Sequence, residues 1–393
     1  MGKWEEKKLQ DVCERITDGT HQTPTYFDQG YIFLSSKNVT SQKIDWENVR
    51  YVDEKQYLEF QKRISPKVGD ILLAKNGTTG VAAMVDRDVP FNIYVSLAWL
   101  RSKGDVIPEY LLYFINSPNA KKQFNSRLKG VGVPNLHLKE IREVKMAFPK
   151  SLTEQQRIVA KLDGLFAKID QAIGLLEENI AHTQALMGSV LDEEFGKLEC
   201  ESHLLKKISD KIQYGYTGKT KEKGQYYYLR ITDIQDGKVD FNKAPFSDIL
   251  KEEASKYILN QGDILFARTG ATAGKSYLFN DEEPSIFASY LIRVVVKQDK
   301  LSPKYLKWYF QSDEYWSQIF GNIVGAAQPN FNGKKLGELI IPVPSLKIQD
   351  ECVLKFEQYD KVIRSSIETQ TQKLTHLKAL KSSLLDQAFK GEL

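Results

Sequence analysis

The chain has 393 residues, 41% hydrophobic and 27% charged, the balance of a soluble globular protein with two or three domains. No apolar run reaches the ~18 residues that mark a membrane span, the opening MGKWEEKKLQ lacks the apolar stretch of a secretory leader, and neither the cysteines (Cys13, Cys200, Cys352) nor the five histidines have metal or disulfide-framework spacing. These features predict a cytoplasmic, metal-free chain with no membrane partner. The net charge of +4 resolves into 23 Lys/Arg against 18 Asp/Glu over residues 1–150, 4 against 9 over 151–199, 20 against 17 over 200–345 and 8 against 7 over 346–393. Two mildly basic blocks therefore flank an acidic one, and basic blocks suit a polyanion.

In chain order, residues 1–150 read as a mixed, strand-rich block. TDGT (Thr17–Thr20) holds the Asp-Gly dipeptide of tight turns. FLSSKNV (Phe33–Val39) is an apolar strand running into polar residues. VGDILLAKNGTTG (Val68–Gly80) reads as a glycine turn, a short buried strand and a Gly-Thr tip. PEYLLYFINSPNAKKQF, from Pro108, reads as one helix with proline in its first turn. GVGVPNL (Gly130–Leu136) is a loop, and MAFPKSL (Met146–Leu152) is a proline-marked exit.

The period then changes. Val159, Leu162, Phe166, Ile169, Ile173, Leu176, Ile180, Met187 and Val190 are spaced by 3 and 4, with Thr183 the polar member. That is the heptad seam of a coiled-coil helix, assigned to residues 151–199. A helix of about 43 residues would be roughly 65 Å long. Gly164, Gly174 and Gly188 each cost it ~1 kcal/mol relative to alanine, so tertiary packing must offset them.

About 194 residues on, the chain repeats itself. QGDILFARTGATAG (Gln261–Gly274), PKYLKWYF (Pro303–Phe310), GAAQPNF (Gly325–Phe331) and IIPVPSL (Ile340–Leu346) follow in the same order as their counterparts, and LKSSLLDQAFKGEL (Leu380–Leu393) repeats LMGSVLDEEFGKL (Leu186–Leu198). Val353, Phe356, Ile363, Ile367, Leu374, Leu377 and Leu384 carry the seam on the same phase through 346–393, interrupted by Asp360, Gln370 and Lys381. The predicted fold class is α+β: two similar mixed α/β domains, 1–150 and 200–345, separated by two long antiparallel coiled-coil helices in a pseudo-twofold internal repeat. Antiparallel pairing would put the two domains at opposite ends of a helical rod, with Leu162, Phe166, Ile169, Ile173, Leu176 and Ile180 facing Phe356, Ile363, Ile367, Leu374 and Leu377. Pairing of each helix with another subunit is the alternative.

RTGATAGKS (Arg268–Ser276) approaches a phosphate loop without completing one. Thr269 stands at the first glycine position, Gly270 and Gly274 are separated by three residues, and SYLFNDEEPSIF after Lys275 is poor helix. The other copy, KNGTTGVAA, has no Gly-Lys. What the copies share is a strand, a basic residue (Lys75 or Arg268), a small polar residue (Asn76 or Thr269) and a tip bearing Thr78, or Thr272 and Lys275. Backbone N–H groups and hydroxyls there can meet DNA phosphates while the long basic side chain reaches a base edge. A hairpin needing the positive φ of glycine is the structural alternative. Further DNA-binding candidates are Thr20, His21 and Thr23, then Lys37 and Asn38 with Arg230 and Thr232 as approximate counterparts, then Asn135, Gln328 and Asn330 beside prolines; turn capping or burial would account for each as well. Tyr226–Tyr228 read as a strand with alternate rings in the core.

ITDGTHQTPTY (Ile16–Tyr26), FLSSKNV, the GDILLAKNGTTG and GDILFARTGATAG pair, and LTEQQRIVAKLD (Leu152–Asp163) together resemble the specificity subunit of Type I restriction–modification systems, over essentially the whole chain. The resemblance implies two target-recognition domains, each reading one half of a split sequence in double-stranded DNA. It implies spacer helices that set the gap and dock methyltransferase subunits, two of them, with restriction/translocase subunits joining. It also implies a subunit that is not itself a catalyst, with S-adenosylmethionine and ATP held by partners. No Asn-Pro-Pro-Tyr-like methyl-transfer motif and no Gly-rich cofactor fingerprint stands in the chain. The second copy departs at QYGYTGKT (Gln213–Thr220), where the first has TDGTHQT, and at RITDI (Arg230–Ile234), where it has SSKNV. A stand-alone DNA-binding regulator and an ATP-binding enzyme using residues 268–276 are the competing readings.

Overall fold

The computed structural model describes residues 4–128, 135–235, 237–269, 273–321 and 331–393. The chain divides into two compact units, Met1–Glu177 with Gln372–Leu393, and Glu178–Thr371.

In the first unit, the strands Cys13–Asp18, Leu97–Ser102, Ile71–Ala74 and Ala82–Met84 form an antiparallel sheet in that order. The GDILLA run is continuously apolar because both faces of its strand are covered. Ile71 and Leu73 enter one buried cluster, and Leu72 and Ala74 enter another. Gly69, at φ +90°, makes the turn before it. Asp70 closes that turn by accepting from the Lys67 N–H at 2.7 Å, and it also accepts from Trp99 Nε1 at 2.8 Å and from the Arg101 fork at 2.8 and 2.7 Å. A second sheet sets Tyr31–Leu34 between Arg50–Val52 and the parallel strand Phe91–Ile93. Trp4–Lys8 pairs with Lys145–Pro149.

The second unit repeats this wiring. Ser209–Tyr214, Leu291–Val296, Ile264–Ala267 and Ser276–Leu278 form the antiparallel sheet, Tyr227–Leu229 runs parallel to Ser285–Phe287, and Ser202–Leu204 pairs with Ile340–Pro342. Ile264 and Phe266 again face one cluster, and Leu265 and Ala267 another. Tyr226 and Tyr228 are buried together, while Tyr227 stacks on Phe246 at 4.4 Å.

Two local expectations are corrected. TDGT is not a hairpin turn: Asp18 ends a strand and the chain continues, Thr20 bridging in parallel to Tyr94. Gly19 is required by crowding, since a Cβ there would lie 1.9 Å from the Ile93 carbonyl oxygen; Gly215 repeats this against Ala288 O at 2.2 Å. The helix expected from Pro108 is two helices, Pro108–Asn116 and Pro118–Asn125. Ser117 between them is extended (φ −71°, ψ 156°) because a residue before proline disfavours the helical region. Its hydroxyl accepts from the Ala120 N–H at 3.2 Å and so starts the second helix.

The long helices are Leu152–Gly196 and Leu346–Ala388. In the first unit Val159, Leu162, Phe166 and Ile169 pack with Leu385, Ala388 and Phe389, and Ile173, Leu377 and Leu384 lie alongside. In the second unit Leu191 and Phe195 pack with Val353 and Phe356. Leu176, Ile180, Ile367 and Leu374 are half-buried, and Ile363 is buried. Polar contacts give the sense within each unit: Lys381–Asp170 at 2.7 Å and Lys378–Glu177 at 3.3 Å in one, Lys355–Glu194 at 2.5 Å and Gln370–Thr183 at 3.3 Å in the other. As one residue number rises its partner's falls, so the helices run antiparallel. The seam interruptions have partners too. Lys381 lies over the Phe166 ring at 4.8 Å as well as meeting Asp170, Gln370 Nε2 donates to Thr183 Oγ1 at 3.3 Å, and Asp360 pairs with Arg364 at 2.7 Å.

Each helix is fastened to a head at both termini. Near its start, the buried Gln155 accepts from the Ile107 N–H and donates to the Asp105 and Pro149 carbonyls, each at 2.9 Å. Gln349 does the same to Ser302 N–H, Lys300 O and Pro344 O, each at 2.8 Å. At the far ends Phe389 meets Tyr110 and Phe114 at 5.1 and 5.4 Å, and Phe195 meets Tyr305 and Tyr309 at 5.5 and 5.3 Å.

Candidate nucleic-acid interface

The residues that follow the two buried strands occupy equivalent backbone positions. Leu136 N–H donates to the Lys75 carbonyl at 2.8 Å, and Phe331 N–H donates to the Arg268 carbonyl at 2.9 Å. Leu136 and Phe331 are fully buried, which explains why an apolar residue recurs at this position. At the hairpin ends Gly80 (φ +79°) and Gly274 (φ +93°) adopt the left-handed conformation, and a Cβ on Gly274 would lie 2.7 Å from Trp316. After Lys275 comes the strand Ser276–Leu278, not the helix that a phosphate loop leads into.

The side chains at these matched positions differ. In the first unit Lys75 is buried, and its Nζ meets Asp18 Oδ2 at 2.6 Å. Asp18 Oδ1 accepts from Arg63 Nη2 at 2.6 Å and lies 3.2 Å from His21 Nε2. Burial pushes the Asp18 carboxyl up, but bonds to Lys75 and Arg63 outweigh it and hold the group below the usual carboxylate range. In the second unit Tyr214 stands where Asp18 would be. Arg268 lies over its ring at 4.9 Å and donates to the Ser289 carbonyl at 3.3 Å. Arg268 Nε is buried with no acceptor among the described residues. Tyr214 and Tyr290, whose carbonyl accepts from the Arg268 N–H, are both exposed.

The remaining candidates fall into three groups. His21, Thr23, Lys37, Thr78, Thr232 and Lys275 are exposed. Asn76 and Asn135 are half-buried and bridge each other through the backbone, each with a buried amide oxygen that no donor reaches among the described residues; Thr269 is half-buried also. The third group is occupied by the fold. Thr20 is buried and caps the Gln22 N–H. Asn38 is buried, accepting from Ser35 N–H at 2.9 Å and donating to the Asp45 and Asn48 carbonyls. Arg230 spends its fork on Asp233 at 2.9 and 2.7 Å, and Asp233, which caps its turn as Asn38 does, is the positional match of Asn38. Thr272, Gln328 and Asn330 lie outside the described residues.

A family model described as Type I restriction modification DNA specificity domain matches residues 1–178 and 205–376. The chain belongs to this family. Among its curated relatives, the Type I restriction enzyme EcoKI specificity subunit of Escherichia coli (strain K12) is 24% identical over 402 residues, spanning 96% of this chain and 86% of that protein. The StySPI specificity subunit of Salmonella potsdam is also 24% identical, with the same coverage. Two solved structures share the fold at 20% identity. One, presented as the structural basis of complex assembly and conformational transition of the type I R-M system, has a TM-score of 0.76 and covers 100% of this chain and 98% of its own. The other, the HsdS subunit from Thermoanaerobacter tengcongensis, has a TM-score of 0.58 and covers 99% and 97%.

Within this specificity-domain family member, the strand-end cations Lys75 and Arg268 are singled out by the sequence, whereas the neighbours the structure sets around these strand ends, Asp18, Arg63, Tyr214 and Tyr290, are not. The available signal was the exchange of Asp18 for Tyr214 inside the segment where the two copies diverge. Among the described residues no three side chains are grouped to hold a metal ion, and no helix is long and apolar enough to cross a membrane. Burial pushes the Cys13 thiol up to about 12, so it is a core residue without nucleophilic character.

Proposed function

We propose that this chain is the DNA-reading subunit of a Type I restriction–modification complex, its heads 1–150 and 200–345 each recognising one half of a bipartite duplex site. The observation that carries this reading is the pair of matched strand ends, alike in backbone hydrogen bonding and different in side-chain chemistry: Lys75 on Asp18 in one, Arg268 on Tyr214 in the other. A duplicated frame with unlike faces suits two unlike half-sites. Arg268 contacts a base edge in its half-site, and exposed Lys37, Lys275, Thr78 and Thr232 contribute polar and phosphate contacts. The helices 151–199 and 346–393 set the gap. Their outer surface, on which Leu354 and Val362 are exposed, docks two methyltransferase subunits, with restriction/translocase subunits joining. In this reading the chain is cytoplasmic and non-catalytic, and S-adenosylmethionine and ATP are used on partner subunits.

The test takes the target from methylation sequencing of the host genome. Arg268→Ala should then weaken binding by roughly 1–3 kcal/mol when its own half-site is intact, and relax base choice there. Sequence preference at the other half-site should stay unchanged. Equal relaxation at both would overturn the assignment of one head to one half.

A further inference from the structure

We infer that Arg63 and His21, gathered on the buried carboxylate of Asp18, form a phosphate clamp of the first head that grips the DNA backbone; this rests on the DNA-reading role proposed above. The argument is one of charge and saturation. Asp18 is 3% exposed, and its Oδ2 is taken by Lys75, itself 8% exposed, at 2.6 Å. That pair is neutral and internal. Arg63 and His21 share the remaining oxygen, Oδ1, at 2.6 and 3.2 Å, so the cluster carries a full positive charge beyond what its carboxylate matches, before any proton on His21.

The surplus faces outward. The Arg63 side chain is 44% exposed and that of His21 64%. Arg63 is locked along one edge, Nη2 on Asp18 Oδ1 and Nε on the Asp18 carbonyl at 3.0 Å, which leaves its Nη1 edge without an acceptor among the described residues. A guanidinium held rigidly with one edge free is pre-ordered for a phosphodiester oxygen, so little side-chain entropy is lost on contact. Two other arginines of these heads are each neutralised by one carboxylate, Arg101 by Asp70 and Arg230 by Asp233. The cluster has no copy in the second head, where Tyr214 replaces Asp18.

The test compares the full chain with Arg63→Gln, Arg63→Lys and His21→Gln, each assembled with methyltransferase subunits, on a target-bearing duplex and on a duplex of unrelated sequence, between 50 and 200 mM salt. Loss of one phosphate contact reduces the steepness of the fall of log K with log salt by about 0.9, so the fall in affinity across that range shrinks by about 3.5-fold. Arg63→Gln should show that change on both duplexes, Arg63→Lys should largely restore the slope, and His21→Gln should weaken both duplexes alike. An unchanged slope in Arg63→Gln with an unchanged melting temperature would refute the clamp. Loss confined to the target duplex would also refute it, by assigning Arg63 to a base. Failure of the wild-type assembly to bind either duplex would instead remove the DNA-reading role itself.

Discussion

Replacing Gln155 by leucine tests how the long helices are joined to the heads. The substitution keeps the volume and the helix but deletes three hydrogen bonds, each 2.9 Å long, to Ile107 N–H, Asp105 O and Pro149 O. At a net ~0.5–1.5 kcal/mol per bond, with the Pro149 carbonyl left in a buried setting, the loss is about 2–4 kcal/mol. For a unit of about 200 residues that lowers the melting temperature by roughly 5–15 °C. Gln349→Leu should cost the second unit as much, because its three bonds repeat the pattern at 2.8 Å. The two latches share no partner, so the double variant should show the sum to within ~0.5 kcal/mol. Gln156, the exposed neighbour, is the control, and its leucine variant should move stability by less than ~0.5 kcal/mol. Calorimetry of the four variants decides the matter. A Gln155→Leu melting point within 2 °C of wild type, or one equal to that of Gln156→Leu, would refute the latch.

Two further tests address single buried groups. Asn92 is 1% exposed, and both polar atoms of its amide lack partners among the described residues, whereas the second head has Ile286 at the matching register; Asn92→Val should raise the melting temperature by about 2–6 °C, and a fall would show that the amide is satisfied in solution. The Asp18 carboxyl is held below its ordinary value, so its contribution to stability is complete above about pH 4 and disappears as pH falls through the lower folded-state value. The stability gap between wild type and Asp18→Asn, measured by urea unfolding, should therefore be widest near neutrality and close below about pH 4, and a gap constant from pH 7 to pH 3 would contradict that linkage.

The repeat, the buried GDIL strands and the two seams were legible because each is a local pattern: a glycine turn before an apolar run, or a spacing of 3 and 4. Errors arose where one local signal was overridden by another or by distant packing. Pro118 broke a run of helix-forming residues that periodicity alone would join. Gly19 looked like half of a turn dipeptide, yet the demand on it comes from the Ile93 carbonyl, 74 residues further along the chain. Gln155 and Gln349 lie on the seam phase, four residues before Val159 and Val353, and a glutamine continuing an apolar seam was the available hint that it carries buried bonds. The partner of Lys75 was not legible at all, since Asp18 is 57 residues away and the contact depends on the register between Cys13–Asp18, Leu97–Ser102 and Ile71–Ala74.

The same register explains how the two heads can diverge without loss of fold. The sheet fixes where the strand-end cation emerges, and the Leu136 and Phe331 amides pin its carbonyl in both copies. Backbone bonds of that kind are indifferent to the side chains they carry. Exchange of aspartate for tyrosine beside the cation therefore leaves the strand in place while removing a full negative charge from beneath the surface. Lys75 is consumed by its carboxylate, and the outward charge of the first head passes to Arg63; Arg268 keeps its own charge and rests on an aromatic face. One exchange at this position thus changes which cation carries the outward charge of the head. A mutational scan limited to exposed residues would include Tyr214 but miss Asp18, the buried group that sets which cation of the first head faces outward.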